Sequence, residues 1–357
     1  MDVHLAGTGG SGGWPRPGCR CASCATAAAA GLRRAPAQVI VDGVLRLRPG
    51  PAPGTPPGYQ ASRMPGGWTV AGPDGGRLLV ADGSGVTPQP PPGTAPYDIV
   101  LLDLLDDPAQ LGALRRRGLA HAGTVAAVLH ADHRVSSEEE LARRCRFWEV
   151  IVPRDGDVLS APSARRPDLV GPAGPPRRVL VLGGARSGKS RHAELRLAAE
   201  PRVTYLAAGP YPPGARPGDD PEWAERVAAH RSRRPPWWRT VESLDAARTL
   251  RSESGAVLFD GAGTWLAAVM QEAGAWAADS ELASGQIAAK VDELVGAWRQ
   301  TRARLVAVSD DVGASVHPPT RAGRLFRDQL GWLNQRLAAE SEETVLMVAG
   351  RALTLPT

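Results

Sequence analysis

The chain has 357 residues, with 42 Lys and Arg against 37 Asp and Glu and a formal net charge of +5. That length suits two domains of about 150–200 residues each. The basic excess is almost all Arg, interleaved with acids, and only Lys189 and Lys290 are lysines, which argues against a nucleic-acid-binding stripe. No apolar run approaches the roughly 18–20 residues that span a bilayer, and the N-terminus lacks a basic region followed by an apolar one, so a cytoplasmic protein without a membrane span is expected.

Residues 1–157 read as a first domain. Val3-His-Leu-Ala-Gly opens with a short strand, a glycine-rich loop follows, and Cys19, Cys21 and Cys24 form a CxCxxC cluster, with Cys145 standing alone. Cysteines so close in sequence disfavour a disulfide framework and suit either a structural Zn²⁺, with a histidine or Cys145 as the fourth ligand, or reduced thiols. Strands are expected at Arg77–Ala81, Asp98–Asp103 and within Thr124–His133, helices at Asp107–Arg117 and Ser137–Phe147, and a Pro- and Gly-rich loop at Pro49–Gly67. The opening Gly-Thr-Gly-Gly, the cysteine cluster and the segment Val128, His130, Asp132, His133 resemble the metallo-β-lactamase fold, implying a truncated αββα module. Active members of that fold hold two metals with an HxHxDH motif; here Val128 replaces the first histidine. A degenerate module is therefore expected, and a metal-dependent phosphoesterase is the alternative.

Residues 158–177 are a Pro- and Gly-rich linker by composition. From residue 178 to 357 apolar runs at Val179–Leu182, Val203–Ala207, Ala256–Phe259, Leu305–Val308 and Val345–Val348 alternate with helical segments at Ser190–Glu200, Pro221–Arg231, Thr264–Ala273, Ser280–Arg302 and Arg321–Glu340. This is the pattern of a mostly parallel sheet covered by helices.

Within this half, Gly183, Gly184, Ala185, Arg186, Ser187, Gly188, Lys189 and Ser190 complete a GxxxxGKS phosphate-binding loop between strand and helix. The glycines let backbone N–H groups face the phosphates, Lys189 reaches the terminal phosphates, and the Ser190 hydroxyl suits Mg²⁺. A carboxylate at the end of a buried strand is the next part such a site needs, and Asp260 fits; Asp310 and Asp311 leave another strand at the same edge, with Asp311 the expected Mg²⁺ ligand. Asp220 and Pro221 start a helix on which Trp223, Val227 and His230 share a face. Arg231, Arg233 and Arg234 follow, as guanidinium groups suited to polyphosphate.

The loop, Val203-Thr-Tyr-Leu-Ala, Arg226-Val-Ala-Ala-His-Arg-Ser-Arg-Arg-Pro235, Ser309-Asp-Asp-Val-Gly313 and Arg324–Leu337 together resemble the bifunctional adenosylcobinamide kinase/adenosylcobinamide-phosphate guanylyltransferase family. The resemblance implies a RecA-like P-loop domain that phosphorylates adenosylcobinamide with ATP or GTP. It then implies transfer of GMP from GTP through His230, which by motif position is the nucleophile, and it suggests a homo-oligomer. The chain departs from the family at Asp310-Asp311, where Asn-Glu is usual, and at Ala267-Ala268, where a Thr-Asn pair is usual. A non-catalytic GTP-binding switch is the further alternative.

Overall fold

In the second half, residues with no polar interruption form the central strands because both of their faces are covered. The computed structural model describes residues 1–47, 54–161, 175–208, 225, 227–228, 231–276, 281–313 and 318–356. These fall into two compact units, Met1–Pro175 with Ala198–Pro201, and Pro176–Leu197 with Arg202–Thr357.

The first unit begins with β1 (Asp2–Gly7), α1 (Ala22–Ala29), β2 (Gln38–Val41), β3 (Leu45–Leu47), β4 (Gln60–Met64), β5 (Gly67–Ala71) and β6 (Arg77–Ala81). It continues through β7 (Ile99–Leu102), α2 (Ala109–Arg116), β8 (Val125–Val128), α3 (Glu138–Trp148) and β9 (Val158–Ser160). One sheet has the order β3-β2-β1-β9 and the other β4-β5-β6-β7-β8. Val3, Leu5, Val39 and Val41 of the first share one core with Trp68, Val70, Leu78, Val80, Ile99 and Leu101 of the second, as two sheets packed face to face require. Ser137 caps α3 by accepting from the Glu140 backbone N–H at 3.2 Å, and Glu138, Glu139 and Glu140 fill the first turn, where the helix dipole favours acids.

Two expectations need correction here. Val158–Ser160, read as the start of the linker, is a strand paired antiparallel with β1; residues 162–174 lie outside the described residues. The expected loop at Pro49–Gly67 contains β4, whose exposed Gln-Ala-Ser-Arg-Met lacks the apolar alternation that betrays a strand, because it has a neighbour on one side only.

The second unit runs β10 (Arg178–Gly183), α4 (Lys189–Leu197), β11 (Val203–Ala207), β12 (Arg239–Glu242), α5 (Ala246–Ser252), β13 (Ala256–Asp260) and α6 (Ala262–Glu272). It ends with α7 (Glu281–Gln300), β14 (Arg304–Asp310), α8 (Arg321–Ala339), β15 (Glu343–Val348) and β16 (Arg351–Leu355). The sheet order is β12-β11-β13-β14-β10-β15-β16, parallel throughout except for the last strand. Successive residues of β10 face opposite layers: Leu180 packs with Leu250, Trp265, Leu294 and Leu330 of α5 to α8, whereas Val179 and Val181 pack with Ala193 and Leu197 of α4. The result is a three-layer α/β unit. Because β14 lies between β10 and β13, the loop after β10 and the acids ending β13 and β14 meet at one carboxyl edge. The expected helix at Pro221–Arg231 falls mostly outside the described residues; Glu225, Val227, Ala228 and Arg231 are helical.

Candidate functional site

The turn after β10 is shaped by close contacts that only certain residues allow. A Cβ at Gly183 would stand 2.5 Å from Ser187 Oγ and 2.8 Å from the Met347 carbonyl oxygen, so a side chain there would push the loop off the sheet. Gly188 has φ +95°, a conformation open to glycine, and Arg186 takes φ +57°. The Gly350 N–H donates to the Ser187 carbonyl at 3.0 Å, tying the loop to the turn between β15 and β16.

Lys189, the first residue of α4, donates from Nζ to the Gly184 carbonyl at 3.1 Å and lies 2.9 Å from Asp310 Oδ1. The charge meant for phosphate is thus held over the loop by an acid from β14. Ser190 Oγ donates to Asp260 Oδ1 at 3.3 Å, and the Tyr205 hydroxyl donates to Asp260 Oδ2 at 2.8 Å. Burial, and next the Asp260 carboxylate, push the Tyr205 phenol far above its ordinary range, so it stays a donor. Tyr205 in turn carries the Arg234 guanidinium, whose central carbon is 3.6 Å from the ring centroid.

The two acids at the end of β14 take different partners: Asp310 reaches Lys189, and Asp311, the expected Mg²⁺ ligand, donates its backbone N–H to the Gly183 carbonyl at 3.2 Å. Asp310 is set in place by Asn334 of α8, whose Nδ2 donates to its carbonyl at 3.0 Å, a contact no local pattern announces. Among the arginines expected to hold polyphosphate, Arg231 pairs with Glu242 at 3.1 Å and Arg233 grips Glu194 of α4 at 3.1 and 3.2 Å. His230, Asp220, Pro221 and Trp223 lie outside the described residues. The hydroxyl of Ser190 and the carboxylate of Asp260, side by side at the sheet edge, form the hard oxygen donor set that suits Mg²⁺.

The first unit holds a second group. Sγ of Cys19, Cys21 and Cys24 and a ring nitrogen of His133 lie within 4.8 Å of one another. His133 Nδ1 is 3.3 Å from Cys19 Sγ and 3.5 Å from Cys24 Sγ. Tetrahedral zinc, with Zn–S about 2.3 Å and Zn–N about 2.0–2.1 Å, sets its sulfur and nitrogen ligands about 3.6 Å apart, so these residues fit it. Of the two residues expected to complete such a site, His133 is the one that joins the three thiols; Cys145 is buried outside the group, and burial pushes its thiol up to about 12.

His130, Asp132 and His133 do not converge. His130 Nε2 is 3.0 Å from the Ala81 carbonyl, which needs that nitrogen protonated. Asp132 pairs with Arg134 Nε at 2.8 Å, and the same guanidinium meets Asp106 at 2.7 Å and Asp103 at 3.0 Å. An arginine cation stands among the carboxylates, and the imidazole of His133 belongs to the thiols.

A strand, a GxxxxGKS loop and a helix, with Lys189 and Ser190 beside the acids of two further parallel strands, define a P-loop α/β domain. The family model for cobinamide kinase/cobinamide phosphate guanyltransferase matches residues 179–355, and the chain belongs to that family. It is similar to the bifunctional adenosylcobalamin biosynthesis protein CobP of Pseudomonas aeruginosa PAO1, 39% identical over 187 residues, which are 50% of this chain and 96% of that protein. The protein of the same description, CobU, from Escherichia coli K12 is 34% identical over 182 residues, 48% of this chain and 96% of the relative. CobU of Salmonella typhimurium LT2 matches to the same extent. Among solved structures, Zn²⁺-bound PqqB from Methylobacterium extorquens aligns over 45% of this chain and all of its own at 16% identity, with a TM-score of 0.27, too low to establish a shared fold. No helix among the described residues is long and apolar enough to cross a membrane.

Proposed function

We infer that residues 179–355 form a bifunctional enzyme of cobalamin biosynthesis: it phosphorylates adenosylcobinamide with ATP or GTP, then transfers GMP from GTP to the phosphorylated product. The observation that carries this reading is the convergence of Lys189, Ser190 and Asp260 at one sheet edge within the family's matched segment. The strand order, with β14 between the loop strand and the Asp260 strand, supports a RecA-like arrangement.

In the kinase step the loop N–H groups and Lys189 bind the triphosphate, and Lys189 exchanges Asp310 for a phosphate oxygen as charge gathers on the departing diphosphate. Ser190 and Asp260 would hold Mg²⁺, which would supply charge neutralisation along the phosphate chain when bound. Tyr205 keeps the Asp260 carboxylate turned toward Ser190. In the second step a neutral nitrogen of His230 attacks the α-phosphorus of GTP and pyrophosphate leaves; the resulting phosphoramidate is displaced by the substrate's phosphate, giving adenosylcobinamide-GDP and free imidazole. Arg231 and Arg234 follow His230 in sequence and are assigned to the nucleotide in this reading. Incubation with α-labelled GTP and Mg²⁺ tests it: wild type and His192→Ala take up label, and His230→Ala does not. A wild type that never labels removes the guanylyltransferase assignment.

For the first unit we propose a metallo-β-lactamase-like module that keeps a structural Zn²⁺ on Cys19, Cys21, Cys24 and His133 and lacks the dinuclear site. Support comes from the thiol–imidazole cluster and from the Arg134 cation among Asp103, Asp106 and Asp132. Metal analysis yielding two equivalents, with phosphodiesterase activity lost in Asp132→Ala, would return the phosphoesterase reading.

A further inference from the structure

Two consecutive arginines just beyond His230 in sequence are gripped by two different elements of the phosphate-binding core. Arg233 donates from Nε to Glu194 Oε2 at 3.1 Å and from Nη2 to Glu194 Oε1 at 3.2 Å, a fork-to-fork pair that fixes direction as well as distance. Glu194 is buried on α4, the helix that opens with Lys189 and Ser190, and Arg233 is helical together with Arg231 and Ser232. Arg234, the next residue, stacks on Tyr205 of β11, which is itself bonded to Asp260. A partly exposed ion pair contributes little to folding stability. Its consequence lies in where it holds the chain.

We propose that Glu194 is a positioning residue for guanylyl transfer: through Arg233 it ties the helical residues 231–233, which directly follow His230 in sequence, to the helix that presents the triphosphate. The inference rests on the guanylyltransferase reading above. The kinase step needs the loop, Lys189 and the acids but not His230, so a loosened Arg233 leaves it in place. The guanylyl step needs an imidazole held in line with the α-phosphorus, and misplacement by about 1 Å costs about 10²-fold in rate.

The experiment compares wild type, Glu194→Gln and the charge-swapped Glu194→Arg/Arg233→Glu in the full-length chain. Three readouts are taken: nucleotide affinity, formation of adenosylcobinamide phosphate from ATP, and the single-turnover rate of protein labelling by α-labelled GTP. Glu194→Gln is expected to keep the first two and to label about 10²-fold more slowly, and the swap to recover about tenfold of that loss. Labelling of Glu194→Gln at the wild-type rate overturns the proposal. So does parallel loss of both steps, the mark of a purely structural role, or a swap no better than the single variant. An unlabelled wild type instead removes the guanylyltransferase reading itself, and the positioning role with it.

Discussion

Lys189 Nζ lies 2.9 Å from Asp310 Oδ1, so the cation of the phosphate-binding loop is paired with a carboxylate of β14 before any phosphate arrives. The pair is partly open to solvent, and such pairs are worth about 0.2–1 kcal/mol. Nucleotide must displace Asp310 and also meets its negative charge. Asp310→Asn is therefore expected to tighten ATP binding measured without Mg²⁺ by about 1.4- to 5-fold, the equivalent of that energy. Lys189→Ala is expected to abolish both phosphoryl and guanylyl transfer, read as product mass and protein labelling.

Tyr205 supports the site from below. Its hydroxyl is buried and bonded to an ionised acceptor, so Tyr205→Phe leaves Asp260 short of a donor and is expected to cost about 1.5–3 kcal/mol of stability in urea unfolding. The same substitution also frees the Asp260 carboxylate to turn from Ser190, and slower phosphorylation of adenosylcobinamide is the second readout.

The thiol–imidazole group predicts its own metal content. Wild type is expected to hold one equivalent of zinc, His133→Ala less than half of that after dialysis, and Cys145→Ala the full amount, by elemental analysis. Burial pushes the Cys24 thiol up to about 11 in the metal-free protein, so binding must expel a proton and zinc affinity is expected to rise with pH.

A pH effect on stability should appear at Glu342. Burial works to raise its carboxyl, but the Arg178 and Arg177 backbone N–H groups and the Arg178 guanidinium prevail and hold it below the usual range. A depressed folded-state value means the stabilisation is full above the unfolded value of about 4.3 and disappears as pH falls through the folded value. The stability advantage of wild type over Glu342→Gln in urea is accordingly expected to persist from neutral pH to about pH 5 and to shrink below about pH 4. An advantage independent of pH would contradict it.

The central strands of the second unit were legible because a strand covered on both faces is an unbroken apolar run: Val203–Ala207 is β11 as read, and Val179–Leu182 lies within β10. Edge strands were not. Arg239–Glu242 and Arg351–Leu355 are mostly exposed, with no fully buried residue, and carry polar residues, so β12 and β16 lack an unbroken apolar run. In the first unit β6 falls at the expected Arg77–Ala81, whereas the helix at Ala22–Ala29 was hidden by its short, alanine-rich sequence without acids or bases to mark its ends.

By itself the sequence determined the phosphate-binding loop, the alternation of strands and helices around it, and the family, because each is encoded within a few consecutive residues by backbone freedom, burial and spacing. Which of two adjacent aspartates meets Lys189, which histidine joins the three thiols, and that Arg233 grips Glu194 were decided only by the tertiary structure. These contacts join side chains far apart along the chain, and only the packing of strands, helices and loops decides which of them can touch.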